Sequence, residues 1–304
     1  MIERHLAVGD RATRLLSSGA GPPILWLHDT RGNDWTQAHA LLAEHHLVQA
    51  PTLPGFDDST MLDGIDGPED IVFWLIDLLD TLTPHPNPLP LRGEGASDPP
   101  RPTSRKEVGD PPRPSRGEAA RSAGEGWRES IERPIVLGCG LGGWMAAELA
   151  VRYPERLAGL VLVDAYGLQV DGALAADEFA LTPPMLRPLL FAEPDGAMAT
   201  HVVPDVETPD RLERALHARV AAARLAWQFP YDPKLRTRLH RAVTPALVVW
   251  GECDRLVPRE HGQAYAARLP NARLVTLPRA GHYPYLESPV PFAHEVLNFA
   301  VGTA

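Results

Sequence analysis

The feature that most constrains this chain is an apolar segment that runs directly into closely spaced glycines and then into a helix. Residues 134–137 are apolar, four glycines follow between positions 138 and 143, and residues 144–152 have helical spacing. A strand that passes at once into a helix, with glycines where the two backbones approach, is typical of a parallel sheet covered by helices. The segment therefore predicts an α/β protein.

The rest of the chain alternates in the same way. Apolar runs of strand length, as expected for strands buried on both faces of a sheet, lie at 24–28, 47–50, 160–163 and 246–250. Helical spacing is found at 35–45, 70–82 and 290–299. We therefore expect a mainly parallel central sheet with helices on both faces, and a core formed by residues 1–167 plus 244–304.

Two segments interrupt this alternation. Residues 84–126 contain ten prolines, six glycines and no Phe, Tyr or Trp among 43 positions, which predicts a disordered insertion. It enters just before the 134–137 strand, at the end of the sheet opposite the carboxyl ends where open α/β folds place their sites. Residues 168–243 contain helical pieces, notably 209–227, and no convincing strand, which predicts a helical cap.

The composition excludes some classes of binding partner. The 304 residues are 44% apolar and carry a formal net charge of −10, which argues against nucleic acid or an anionic membrane as the partner. The amino terminus shows no signal peptide, and no apolar run approaches the ~18 residues of a membrane span. Two cysteines fit a reducing cytoplasm. We expect a cytoplasmic protein with a small-molecule substrate or ligand; the oligomeric state stays open. Because no histidines have metal-ligand spacing, we predict neither metal nor cofactor.

Residues 136–144 (VLGCGLGGW) resemble the nucleophile elbow of the α/β-hydrolase superfamily, G-x-S-x-G. Gly138 and Gly142 match its flanking glycines, but the nucleophile position is Gly140. Residues 142–148 (GGWMAAE) are similar to the following helix of small bacterial hydrolases that act on esters and C–C bonds. The resemblance implies an α/β-hydrolase fold and, as its activity class, hydrolysis of carboxylic esters or C–C bonds in small molecules.

Further resemblances follow in the order that the superfamily uses, nucleophile, acid and histidine. WGECDRLVP (250–258) resembles its acid motif and AGHYP (280–284) its histidine loop, which assigns Asp254 and His282 to these roles. LHDTRG (27–32) resembles its oxyanion loop, with Asp29 in place of a glycine.

These resemblances also imply supporting roles. Backbone N–H groups of Thr30 and Leu141 would form the oxyanion hole. Asp164, after the 160–163 strand, is the rival acid. Aromatic residues of the cap are candidates for the substrate pocket, although ordinary packing also explains them: Trp227, Phe229 and Tyr231.

Glycine at position 140 removes the covalent chemistry while keeping the turn. Gly140 has no oxygen, so no acyl-enzyme forms there, and loss of such a nucleophile costs on the order of 10⁶ in rate. Glycine also adopts the strained backbone of an elbow freely. Cys139 does not replace the nucleophile, because neighbouring residues at a strand end point to opposite faces. Cys253 is expected to be structural for the same reason.

The sequence leaves several functions open. As an enzyme, the protein would use His282, oriented by Asp254, to activate a water in the space left at position 140 or to abstract a substrate proton. As a pseudo-hydrolase with a degenerate triad, it would only bind a ligand under its cap. A recently inactivated gene product is the third alternative. The glycines also satisfy a dinucleotide fingerprint, with Asp164 about 20 residues on, but the acid and histidine motifs outweigh it.

Overall fold

The computed structural model describes residues 1–57, 64–65, 67–82, 133–206, 208–226 and 230–303. The predicted disordered insertion at 84–126 lies outside the described residues. Met1–Leu79 and Arg133–Ala304 form one compact unit. A second unit, Asp80–Glu132, is described only where it contributes the last residues of a helix.

An eight-stranded sheet forms the centre of the first unit, in the order β1-β2-β4-β3-β5-β6-β7-β8. The first two strands pair antiparallel, β2 pairs antiparallel with β4, and all other pairs are parallel. This confirms the predicted mainly parallel sheet. The strands are β1 Ile2–Val8, β2 Arg11–Ser18, β3 Pro23–Leu27, β4 Leu47–Pro51, β5 Ile135–Cys139, β6 Gly159–Val163, β7 Ala246–Gly251 and β8 Ala272–Leu277.

The helices of the described residues are α1 Gln37–Leu42, α2 Pro68–Leu82, α3 Gly140–Arg152, α4 Pro183–Leu190, α5 Ala197–Val202, α6 Pro209–Ala226, α7 Leu235–Arg238, α8 Glu260–Arg268, α9 Pro284–Glu287 and α10 Pro289–Val301. Helices α1 and α10 pack together over the sheet face that carries Trp26 and Leu137. Helix α3 packs on β5 and β6 with side chains outside that cluster. Every residue of the central strands β3, β5, β6 and β7 is buried, which explains why apolar runs marked them in the sequence.

Some elements, or their bounds, were not predicted from the sequence. Strand β1 is exposed at most positions and carries charged residues, so it has no apolar run to mark it. Helix α3 begins at Gly140, not at Trp144, because the elbow glycines form its first turn. Residues 168–243 hold α4 to α7, and their described part contains no named strand; one isolated bridge pairs Tyr231 with Gly167. Their role as a cap stays a prediction.

None of the helices in the described part of the chain combines the length and hydropathy needed to cross a bilayer.

Candidate active site

The turn between β5 and α3 is as tight as the glycine pattern predicts. A Cβ on Gly138 would overlap the carbonyl oxygen of Gly142, and a Cβ on Gly142 would overlap that of Leu27. Gly140, between them, has a φ of +49°, in the left-handed region that glycine adopts at low cost. Strand, turn and helix therefore hold position 140 at the carboxyl end of the central strands, where the nucleophile of the resembled family would stand.

His282 and Asp254 are joined at the same end of the sheet. The Asp254 carboxylate lies 2.8 Å from His282 Nδ1 through its Oδ2. Its other oxygen accepts the backbone N–H groups of Leu256 and Val257, at 2.9 and 3.0 Å. Because the carboxylate is fixed by the loop backbone, it fixes the imidazole orientation in turn. This geometry fits the roles that the resemblance implies for both residues.

Asp164, the rival acid, lies beside this pair but holds a different partner. It follows β6 with a φ of +45°, and its Oδ1 accepts the backbone N–H of Gly251 at 2.9 Å. Burial and the nearby Asp254 raise its pKa well above the ordinary range. These effects favour the neutral form of the Asp164 carboxyl group. Side-chain atoms of Asp164, Asp254 and His282 lie within 4.8 Å of one another, close enough to hold a metal ion, although two of these groups already bond each other.

Asp29 occupies the part of the site where a serine nucleophile would act. Its Oδ2 lies 3.2 Å from His282 Nε2, and its Oδ1 accepts the backbone N–H of Leu141 at 2.8 Å. The backbone of Thr30 contributes a further hydrogen bond to the same carboxylate. The two backbone groups that were predicted as oxyanion-hole donors, those of Thr30 and Leu141, are thus both directed to Asp29.

The carboxylate also fills the space left by the missing side chain at position 140. A Cβ built on Gly140 would overlap Oδ1, Cγ and Oδ2 of Asp29. The hypothesis that a water occupies this space therefore requires correction, because the carboxylate stands there. Asp29 and Gly140 fit each other sterically, and neither the family's usual glycine at 29 nor its serine at 140 is present.

The charges of this group follow from its burial and its hydrogen bonds. Burial opposes a charge on His282, but the carboxylates of Asp254 and Asp29 outweigh it and raise the pKa of His282 well above 6.5. Burial likewise opposes ionisation of Asp29, but His282 and backbone N–H groups lower its pKa. Both shifts favour the imidazolium form of His282, which lies between two carboxylates. The imidazolium form cannot accept a proton as a general base.

A second acidic group links the helical segment to the site. Glu178 accepts hydrogen bonds from the hydroxyl of Tyr166, at 3.0 Å, and from that of Thr30, at 3.1 Å. Burial and the charge of Asp29 raise the pKa of Glu178. Thr30 and Glu178 border a cavity of about 290 Å³, whose other walls are mostly apolar side chains such as Leu186 and Ala222.

The remaining predicted residues are placed as follows. Trp227 and Phe229 lie outside the described residues, and Tyr231 is half-buried beside its backbone bridge to Gly167. Cys139 lies in the core, where burial raises the pKa of its thiol well above 9.0. Cys253 is half-buried.

Sequence reasoning missed the roles of Asp29, Glu178 and Tyr166. The signal for Asp29 was present, because the chain departs from the family pattern at positions 29 and 140 together. No local pattern marks Glu178 or Tyr166, which meet only through the fold.

Comparison with protein families gives a match to the model described as the alpha/beta hydrolase family, over residues 16–295. The putative carbamate hydrolase RutD of Pseudomonas savastanoi pv. phaseolicola is 31% identical over 183 residues, which cover 56% of this chain and 68% of that protein. The pimeloyl-[acyl-carrier protein] methyl ester esterase of Neisseria meningitidis serogroup B is 28% identical over 203 residues, covering 60% of this chain and 74% of the esterase.

A solved structure with the same fold is the serine hydrolase CCSP0084 of Cycloclasticus zankles. It superposes with a TM-score of 0.70 at 19% identity, covering 99% of this chain and 98% of that one. At this identity the likeness shows a shared fold.

Proposed function

Because this chain belongs to the alpha/beta hydrolase family, we propose that it binds a small carbonyl compound beside Thr30 and Glu178 without hydrolysing it by a serine-type mechanism. The observation that carries this proposal is the Asp29 carboxylate, bonded to Leu141 N and His282 Nε2 in the place of a nucleophile.

One obstacle to serine-type hydrolysis lies at the oxyanion hole. An oxyanion hole stabilises negative charge that develops on a carbonyl oxygen, and removing one donor costs about 10²–10³ in rate. In this chain the Leu141 N–H already donates a hydrogen bond to the Asp29 carboxylate. A substrate oxygen would have to displace a buried carboxylate to reach it, and the two charges would repel each other. The site therefore disfavours acyl transfer beyond the loss of the serine.

A second obstacle lies at the catalytic base, His282. Serine-type hydrolysis needs a neutral imidazole that accepts the nucleophile's proton. Burial lowers the pKa of His282, but the carboxylates of Asp254 and Asp29 outweigh it and raise that pKa, which favours the imidazolium over the neutral base. His282 thus lies between two carboxylates, those of Asp254 and Asp29, and this pairing opposes its action as a base.

The cavity beside the site suits a small carbonyl ligand. The cavity beside Thr30 and Glu178 is mainly apolar, which suits a small molecule with an apolar body. The relatives named above are called a carbamate hydrolase and a methyl ester esterase, so their ligands are carbonyl compounds. Glu178, whose pKa burial raises, can donate a proton in a hydrogen bond to such a carbonyl oxygen when it is neutral.

The test compares p-nitrophenyl butyrate hydrolysis by the wild type, Gly140→Ser, and the double variant Asp29→Gly/Gly140→Ser. We expect no acyl-enzyme burst from the wild type, because Gly140 has no nucleophile, and none from the single variant, because Asp29 overlaps a side chain at 140. We expect a burst from the double variant, which frees the space and the Leu141 N–H. The triple variant that adds His282→Ala should lose the burst again. A burst from the wild type would overturn the proposal.

A second candidate function is proton-transfer catalysis by Asp29 and His282 without a covalent intermediate. The observation in its favour is the 3.2 Å contact between Asp29 Oδ2 and His282 Nε2, across which a proton can be shared. The variants Asp29→Asn and His282→Ala distinguish the two functions. Catalysis predicts that both variants abolish turnover of the wild-type substrate, whereas a binding function predicts no turnover to lose.

A further inference from the structure

The cavity beside Thr30 and Glu178 is a groove along one face of α6. Six residues of this helix line it: Leu212, Ala215, Leu216, Ala218, Arg219 and Ala222. Residues three or four apart in a helix lie on the same side, so this set forms one continuous face. From position 212 to position 222 the face extends for about 15 Å. The facing wall consists of Pro183 and Leu186 of α4 and of Val203, directly after α5.

Burial changes along this face from one end to the other. Leu212 and Leu216, in the first half of α6, are 47% and 52% exposed. Ala218 and Ala222, in the second half, are 4% and 0% exposed. The groove therefore has an outer end that is apolar and open to solvent, at the two leucines, and an enclosed inner end at the two alanines.

The polar groups of the groove lie at its inner end. Arg219 donates a hydrogen bond to the carbonyl oxygen of Phe179, which places Glu178 beside the inner half of the helix. The Glu178 carboxyl group contacts the hydroxyls of Thr30 and Tyr166 through one hydrogen bond each. In the neutral form of Glu178, which burial favours, these three groups carry three protons for two hydrogen bonds. One proton is then left to donate to a ligand.

The size and charge of the groove narrow the ligand further. Its volume of about 290 Å³ is about twice that of the ~150 Å³ cavity that holds one benzene molecule, which leaves room for about twelve non-hydrogen atoms. Phe179 is the one aromatic residue of the described lining. Both guanidinium groups of the lining have partners, since Arg219 bonds Phe179 and Arg31 bonds the Tyr283 hydroxyl. A neutral head group on an aliphatic body fits this lining.

We propose that the groove binds a linear aliphatic carbonyl compound of medium chain length, with its oxygen at Glu178 and Thr30 and its chain extended along α6 to Leu212. An extended chain matches a groove of three helical turns, and it would cover the two leucines that the protein leaves exposed. This inference rests on the proposed function, whose ligand it specifies. It adds the shape of the ligand, its orientation and the residues that contact its far end.

The test uses methyl ketones, which carry the carbonyl group but no bond that a hydrolase would cleave. Dissociation constants of 2-hexanone, 2-octanone and 2-decanone are measured by NMR titration of the full chain. Each methylene that becomes buried should strengthen binding about fourfold. Because the outer end is partly open, we expect a gain of at least about thirtyfold from 2-hexanone to 2-decanone.

A variant at the outer end tests the orientation. Leu212→Asn should weaken the binding of 2-decanone at least threefold and leave that of 2-hexanone unchanged, because only the longer chain reaches position 212. Val220→Asn is the matched control. Val220 is also an exposed apolar residue of α6, at 52%, but it does not line the groove. Both substitutions lie on the surface, where they disturb folding little.

The outcomes separate this inference from the proposed function. Absence of binding by every ketone would count against the proposed function, and the inference would fail with it. Binding of 2-hexanone without a gain for the longer ketones would overturn the inference alone. The inference would also fail if Leu212→Asn weakened short and long ketones equally or not at all, or if Val220→Asn weakened 2-decanone as much as Leu212→Asn.

Discussion

The carboxylate of Asp29 stands where a side chain at position 140 would project, so that a Cβ on Gly140 would overlap three of its atoms. The Leu141 N–H holds this carboxylate in place by donating a hydrogen bond to Asp29 Oδ1 at 2.8 Å. Asp29 lies in the loop after β3 and Gly140 directly follows β5, and these two strands are hydrogen-bonded neighbours in the sheet. The replacement at one position therefore accommodates the replacement at the other.

The first prediction concerns this steric fit. Gly140→Ala places a Cβ against Asp29 and forces a side chain into a φ of +49°. Backbone strain of about 1–3 kcal/mol and overpacking of similar size should together lower the free energy of unfolding by about 3 kcal/mol or more. Equilibrium denaturation in urea measures this loss.

Two further variants separate strain from overlap. Gly172 has a φ of +80° with nothing near its Cβ position, so Gly172→Ala should show only the strain part. In a double-mutant cycle, Asp29→Gly should reduce the cost of Gly140→Ala by 1 kcal/mol or more. Additive costs of the two substitutions would contradict the steric relationship.

The fold was predictable from the sequence because the central strands are buried on both faces, and such strands appear as continuous apolar runs. The elbow was predictable for a related reason. Gly138 and Gly142 stand where backbones touch, and this requirement is local. The exposed strand β1, which pairs antiparallel with β2, lacked both signals.

The candidate site was predictable only in part. The histidine and acid motifs carry His282 and Asp254, which the structure brings within 2.8 Å. The position of Asp29 depends on how a loop of one strand meets the elbow of the next, and Glu178 reaches Thr30 from a separate segment. Such contacts depend on tertiary structure, so no spacing in the sequence encodes them.

The second prediction concerns the charge of His282. Its folded pKa is raised above the unfolded value, so its contribution to stability is complete below about pH 6.5 and is lost as the pH rises through the folded pKa. Asp29→Asn removes one of the two carboxylates and should lower the pKa of His282. Imidazole ¹⁵N chemical shifts across a pH titration measure it. In Asp29→Asn, the alkaline loss of stability should begin at a lower pH.

A surface carboxylate supplies the control for this titration. Asp10 has a side chain that is 94% exposed, so Asp10→Asn should leave the His282 titration where it is in the wild type. If Asp29→Asn and Asp10→Asn give the same curve as the wild type, the proposed ion pair is wrong.

The third prediction concerns acid stability and His39. Burial lowers the pKa of His39 from 6.5 to about 3. Between these pH values His39 is protonated in the unfolded chain and neutral in the folded chain. Stability from this group is therefore present above pH 6.5 and lost as the pH falls toward the folded pKa. The loss between pH 7 and pH 5 is about 2 kcal/mol.

His39→Gln lets this contribution be measured. The variant loses packing at every pH, but its stability should fall by about 2 kcal/mol less than the wild type's between pH 7 and pH 5. Urea denaturation at the two pH values gives both differences. Parallel losses in the two proteins would show that His39 is not buried in its neutral form.

The last prediction concerns Glu178, whose carboxyl group bonds Tyr166 and Thr30 and so ties the segment after β6 to the loop after β3. Glu178→Ala leaves both hydroxyls without this acceptor and should cost about 1–3 kcal/mol. Because the lost bonds hold the start of the 168–243 segment, amide hydrogen exchange should quicken there before it does in the central strands.

Glu178→Gln keeps an acceptor oxygen, and because burial raises the pKa of Glu178, the neutral amide should be tolerated with little change in exchange. Exchange that quickens equally in both variants, or equally in β5 and β6, would show that Glu178 supports the sheet as a whole and not the attachment of the segment to the site.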